Sequence, residues 1–172
     1  APDLQARSYF SKSLLDKAGQ EAEKEVALDS NDATAHAALA NALVLAGRPD
    51  EGLRFIQTAM RLDPYYPPNY LTILGAAQFG MENYEEALVT FERAVKRNPK
   101  SEMSLIYMAS CYGYLGRMRE AEDTIETANE LRATLKGLGA LSLESTVTIG
   151  EDSPFTGKID FHSFGTKAAQ ER

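Results

Sequence analysis

The chain has 172 residues, 44% of them hydrophobic and 25% charged, which suits one globular domain or one domain with an appendage. Its net charge of −7, with lysine and arginine scattered among acids, argues against a nucleic-acid backbone as partner. A single cysteine excludes an internal disulfide and a multi-cysteine zinc site, and no apolar run reaches bilayer length, so neither membrane nor metal is expected.

The chain opens on Ala1 already inside a pattern and without the layout of a signal peptide, so the expectation is a fragment or processed product, cytoplasmic in location. Ala6, Tyr9, Ala18 and Ala22 form a shortened first unit that closes at Ser30 after "EAEKEVALD". The second unit carries His36, Leu39, Ala40 and Leu43, then Gly52, Ile56, Ala59 and Pro64. Gly47 falls where its first helix is expected to end in a left-handed cap, and Pro49 suits the first turn of the next helix. The stretch "DPYYPPN" then stops one helix and starts another, and Tyr65 and Tyr66 are expected to pack over that joint.

The third unit repeats the pattern with Leu71, Leu74, Gly75 and Gln78, then Ala87, Phe91, Ala94 and Pro99. It departs at the turn, where Glu82 holds the glycine slot and Gly80 lies two residues earlier; "NYEE" at 83–86 is similar to a capping box. The fourth holds Leu105, Met108, Ala109 and Tyr112, with Gly116 at the turn, then Ala121, Ile125 and Ala128. The spacing is 34 from Ser30 to Pro64 and 35 from Pro64 to Pro99, the period of a stacked repeat. Small residues such as Gly75, Ala87 and Ala94 let two antiparallel helices approach, and larger ones such as Leu74 and Phe91 fill the space between them.

These residues resemble the tetratricopeptide repeat, W-x2-L-G-x2-Y…A-x3-F…A…P. The resemblance implies an all-α, right-handed superhelix of about four helix-turn-helix repeats, at about 1–32, 33–67, 68–101 and 102–135, within a domain of residues 1–136. Residues 137–172 are rich in glycine, serine and threonine and read as a capping segment and loosely structured tail. There "LGALSLES" is expected to cover the last helix, the alternative being that Phe155, Ile159, Phe161 and Phe164 dock in a groove. "STVTI" alternates like a short strand without a partner.

No catalytic, cofactor or metal constellation appears. "GEDSPFTGK" has the wrong spacing for a phosphate loop, and "LDSNDATA" lacks the glycine and closing glutamate of a calcium loop. His36 and Cys111 read as packing residues. No enzyme activity is expected.

In a solenoid of this kind the first helix of each repeat lines a concave wall. Helical geometry puts Thr34, Ala37, Asn41, Val44 and Leu45 there, then Asn69, Thr72, Ala76 and Phe79, then Met103, Ile106, Ser110 and Tyr114, with Tyr107 at the edge. A wall of apolar, aromatic and amide residues predicts a peptide or protein partner with apolar anchors. The competing readings are internal packing and self-assembly, the groove being filled by the chain's own tail or a sister chain's. Some tetratricopeptide proteins clamp the terminal carboxylate of chaperones; of those slots only Asn41 matches, the others holding Ala37, Ile73, Met103 and Tyr107, so a chaperone carboxylate is not the expected ligand.

A closer resemblance lies in "EAEKEVALDSNDATAHAALANALVLAGRP", "MRLDPYYPPNYLTILGAAQFG" and "CYGYLGRMREAE". They are similar to the repeat segment found C-terminal to bacterial class III adenylate/guanylate cyclase catalytic domains, where a short linker with "PF" follows, as "SPF" does here. That resemblance implies a regulatory arm of a bacterial signalling protein, a fragment of a larger enzyme such as a nucleotide cyclase, with none of the cyclase's own metal or purine residues in this chain.

Overall fold

The computed structural model describes residues 17–137. The shortened start of the first unit and the tail, with the capping segment, the "STVTI" stretch and the four aromatic and apolar docking residues, lie outside them.

Seven helices make up the described chain: α1 at 17–28, α2 at Ala33–Leu45, α3 at Pro49–Leu62, α4 at Asn69–Gly80, α5 at Tyr84–Arg97, α6 at Glu102–Tyr114 and α7 at Met118–Gly137. There is no strand among the described residues. Consecutive helices pair as hairpins, α2 with α3, α4 with α5 and α6 with α7, and each hairpin packs on the next.

The two helices of a hairpin have opposite characters. Those that open a hairpin, α2 ("ATAHAALANALVL"), α4 ("NYLTILGAAQFG") and α6 ("EMSLIYMASCYGY"), contain no lysine or arginine and one acid, Glu102. Apolar all round, they are stable only if neighbours cover most of their circumference. Those that close a hairpin are amphipathic: α5 buries Ala87, Leu88, Phe91 and Ala94 on one stripe and turns Glu85, Glu86, Glu92 and Lys96 outward.

Curvature follows from which helices touch. Among the described residues α2 contacts α4 and α4 contacts α6, whereas α3 does not touch α5, nor α5 α7. The opening helices form one continuous wall and the closing helices splay apart, so the stack curves with α2, α4 and α6 on its inner side. The glycine at 75 has the role its spacing predicts. A Cβ there would sit 2.7 Å from Cε1 of Phe91, whose fully buried ring fills the gap. Ile56 fills the corresponding place in the second unit, equally buried among Ala37, Ala40 and Ala59.

The hairpin turns share one hydrogen-bond scheme. Gly47 N–H donates to Val44 O and Arg48 N–H to Leu43 O; Gly116 N–H donates to Gly113 O and Arg117 N–H to Tyr112 O. This paired closure requires a left-handed residue, and Gly47 (φ 78°) and Gly116 (φ 72°) supply it. The third turn is built identically, Glu82 N–H to Phe79 O and Asn83 N–H to Gln78 O, with Glu82 itself at φ 64°. The expected capping box at 83–86 does not form. Asn83 makes no side-chain cap bond; its backbone, at ψ 65°, already closes the preceding turn, whereas the extended caps Asp32 (ψ 105°) and Ser101 (ψ 90°) do accept N–H groups.

At the joint between α3 and α4 the two tyrosines part company. Tyr66 stacks on Tyr70, and Arg97 lies over its ring while donating to its carbonyl at 2.7 Å. Tyr65 is 94% exposed and does not pack over the joint as expected.

Candidate partner-binding surface

The inner wall exposes only part of what the helical geometry nominated. On α2, Thr34 and Asn41 are exposed and Leu45 is 51% exposed, while Ala37 is buried in the core. On α4, Asn69 is exposed, Thr72 and Phe79 are half-buried, and Ala76 is buried in the cluster that holds Phe91. On α6, Met103 is 49% exposed and Tyr107 and Tyr114 are half-buried.

Ile106 and Ser110 are buried, which corrects their assignment to the exposed wall together with that of Ala76 and Ala37. The Ser110 hydroxyl is turned back along its own helix, donating to Ile106 O at 2.7 Å. A serine so bonded presents no free polar group. Thr72 faces sideways rather than into open solvent, its hydroxyl 2.8 Å from that of buried Ser104, which in turn meets the cap residue Ser101 at 2.8 Å. This hydroxyl chain ties α4 to the start of α6, and the Arg132–Glu102 ion pair fastens α7 to the same helix end.

The aromatic members converge. Phe79 meets Tyr84, Tyr107 and Tyr114 edge-on at 5.4–5.5 Å, and Tyr84 stacks on Tyr114 with centroids 4.2 Å apart and planes 13° from parallel. Tyr107 stacks in turn on Phe91 at 5.1 Å. The cluster therefore runs from the core outward: Phe91 and Tyr107 inside, Phe79 between, Tyr84 and Tyr114 at the rim. Such pairs contribute about 0.5–1.5 kcal/mol beyond the area they bury. Burial pushes the Tyr107 hydroxyl above the ordinary phenol range. It does the same for Tyr84, with Tyr114 and Glu82 adding to the effect. Tyr84 is absent from the residues that helical geometry nominated because it opens a closing helix, not an inner one. Its place in the "NYEE" turn, two residues past the left-handed Glu82, is the signal that could have found it.

Among the described residues, Cys111 and His36 are placed for packing. Cys111 is fully buried and its thiol is pushed up to about 12 by burial, far from a nucleophile at neutral pH. His36 stacks on Phe55 at 5.7 Å and its Nε2 lies 3.0 Å from Ser30 O, a packing and tethering role. Among the described residues no cluster of three or more histidine, cysteine, aspartate or glutamate side chains could hold a metal ion, and no helix is long and apolar enough to cross a membrane.

Comparison with known proteins fits this geometry. A tetratricopeptide repeat model matches residues 68–101, the segment of α4 and α5. Hsp70-Hsp90 organizing protein 3 of Arabidopsis thaliana is 25% identical over 125 residues, covering 73% of this chain and 22% of that protein. Hsp70-Hsp90 organizing protein 1 of Glycine max is 26% identical over 147 residues, covering 76% and 26% respectively. The chain thus spans about a quarter of the length of the curated relatives it matches. Among solved structures, MamA (MSR-1 C2) superposes with a TM-score of 0.59 at 21% identity, covering 73% of this chain and 72% of that one. YrrB, a TPR protein with an unusual peptide-binding site, does so with a TM-score of 0.56 at 21% identity, covering 80% and 76%. The helical hairpins, their shared turn closure and these likenesses converge: the described chain is an all-α tetratricopeptide-repeat superhelix.

Proposed function

We propose that this chain is a non-catalytic protein–protein interaction module that holds a peptide or partner protein against the inner wall. The observation that carries the reading is the character of α2, α4 and α6: no lysine or arginine anywhere on them, with Asn41, Leu45, Asn69 and Met103 open and the Phe79–Tyr84–Tyr114 rim beside them. Exposed leucine and methionine offer apolar surface to a partner's anchors, and exposed amides can bond an extended backbone. The names of the organizing proteins and the description of YrrB point to the same class of role. A wall without cations does not favour a terminal carboxylate as the anchor. The finer parts of the reading, a cytoplasmic regulatory arm of a bacterial signalling protein and self-association through residues 137–172, rest on the sequence alone.

Selection of short random peptides displayed on phage, with the whole chain as bait, tests this. The expected result is enrichment of peptides with apolar or aromatic anchors whose binding is independent of a free C-terminus. Leu45→Glu and Met103→Glu alter half-exposed side chains, so both variants are expected to keep the helical circular-dichroism spectrum and lose the peptides. Enrichment that survives both changes moves the site elsewhere on the molecule. No enrichment on folded protein overturns the reading.

A further inference from the structure

The three hairpin corners share a backbone but differ in charge, and the difference describes a ligand. The residue that closes each turn and begins the next helix is Arg48, Asn83 and Arg117 in turn. In the outer two corners the arginine pairs with the glutamate three residues on, Arg48 with Glu51 and Arg117 with Glu120, and Arg117 also lies over the Tyr112 ring at 4.6 Å. In the middle corner that arginine is replaced by Asn83. Its acids, Glu82, Glu85 and Glu86, are exposed and have no ion pair among the described residues.

Beside these acids stands the stacked Tyr84–Tyr114 pair, backed edge-on by Phe79. Two other tyrosine faces among the described residues carry a guanidinium, Arg97 over Tyr66 at 5.0 Å and Arg117 over Tyr112 at 4.6 Å. No lysine or arginine lies over the Tyr84–Tyr114 pair among the described residues. Glu82 is moreover a left-handed non-glycine residue where both other corners use glycine. Strain of this kind persists where the surrounding structure over-determines it, and it clusters at binding sites. Electron-rich ring faces, uncompensated carboxylates and a wall free of cations are complementary to one kind of group, a cation on an otherwise apolar peptide.

We infer that the corner between α4 and α5 is the specificity element of the inner wall: it receives an arginine or lysine side chain of the partner peptide on the Tyr84–Tyr114 rim beside Glu82, in place of the arginine that the other corners supply themselves. This rests on the interaction reading above, which it deepens by naming the partner's anchoring charge.

The test uses the peptides recovered on the whole chain, synthesised with a fluorescent label and titrated by polarisation. Recovered sequences are expected to carry an arginine or lysine at a fixed distance from the apolar anchor. Replacing that cation by glutamine in the peptide is expected to weaken binding about tenfold, a change that leaves the protein's fold untouched. Glu82→Gln and Tyr84→Ala are each expected to weaken the arginine peptide about threefold or more and to leave its glutamine version unchanged. Asn83→Arg restores the chain's own guanidinium and is expected to compete for the corner, weakening the arginine peptide alike. Peptides that bind the wall with no preference for a cation, or with a preference for acids, overturn this inference and leave the interaction reading standing. A selection that recovers nothing overturns both.

Discussion

The outer corners, α2 to α3 and α6 to α7, and the middle corner, α4 to α5, solve one backbone problem with different residues. All three close with the same pair of hydrogen bonds and the same left-handed residue. Gly47 and Gly116 adopt it without a side chain to clash, while Glu82 adopts it against the preference of any L-residue, a penalty of about 1–2 kcal/mol. The backbone of a tetratricopeptide hairpin is thus set by helix geometry and tolerates a poor residue at its turn, provided the rest of the hairpin over-determines the conformation. The middle hairpin qualifies. Phe91 and Ala87 are fully buried within it, and its end is held where a Cβ on Gly80 would come within 2.9 Å of Pro49.

The strongest way to break the comparison is to make an outer corner worse than the middle one. Nothing lies within 4 Å of a Cβ built on Gly116, so any loss there is conformational rather than steric. Gly116→Val, with a β-branched side chain at φ 72°, is expected to destabilise the chain by about 2 kcal/mol in urea unfolding, whereas the exposed Met118→Val nearby is expected to change little. Equal effects would mean that the corner frays in solution and that its left-handed turn is not held.

The converse change sharpens it. Glu82→Gly brings the middle corner into line with the others and is expected to stabilise the chain by about 1 kcal/mol, because relief of the strain exceeds the extra entropy that glycine gives the unfolded chain. The same variant is expected to bind cationic peptides less well, so stability and recognition move in opposite directions. A neutral or destabilising outcome would show that Glu82 makes compensating contacts in the folded chain.

The corners also mark where sequence reasoning reaches and where it stops. The period was legible because a small residue must face a large one wherever two helices cross closely, as Gly75 faces Phe91. Gly47, Gly116 and Pro49 were legible because turn chemistry is local. The exposed part of the wall was legible only in part. Helical geometry fixes which way Ala76, Ile106 and Ser110 point, but their burial depends on how near the neighbouring helices come, and no residue spacing encodes that. Asn83 misled for a related reason: its type suits a cap, yet its backbone was committed to the preceding turn. Tyr84 escaped because it belongs to the outer series by sequence and to the inner rim by position.

The smallest effect separates the corners by charge. Arg48 lies 2.6 Å from Glu51, the arginine exposed and the glutamate half-buried, and this hydrogen-bonded partner holds the Glu51 carboxyl below the ordinary carboxylate range. A carboxyl whose folded-state pKa is depressed stabilises the fold above its unfolded pKa, and loses that contribution as pH falls through the folded value. Exposure and salt keep the contribution small, so the titration midpoint is the sharper readout. Following the Glu51 carboxyl carbon by NMR, the midpoint is expected below the ordinary range in the wild type and back within it in Arg48→Gln. Raising the salt concentration is expected to move the wild type part of the way in the same direction. If the midpoint ignores Arg48, the ion pair does not persist in solution, and the distinction between a corner that neutralises its own acid and one that leaves its acids for a partner would lose its foundation.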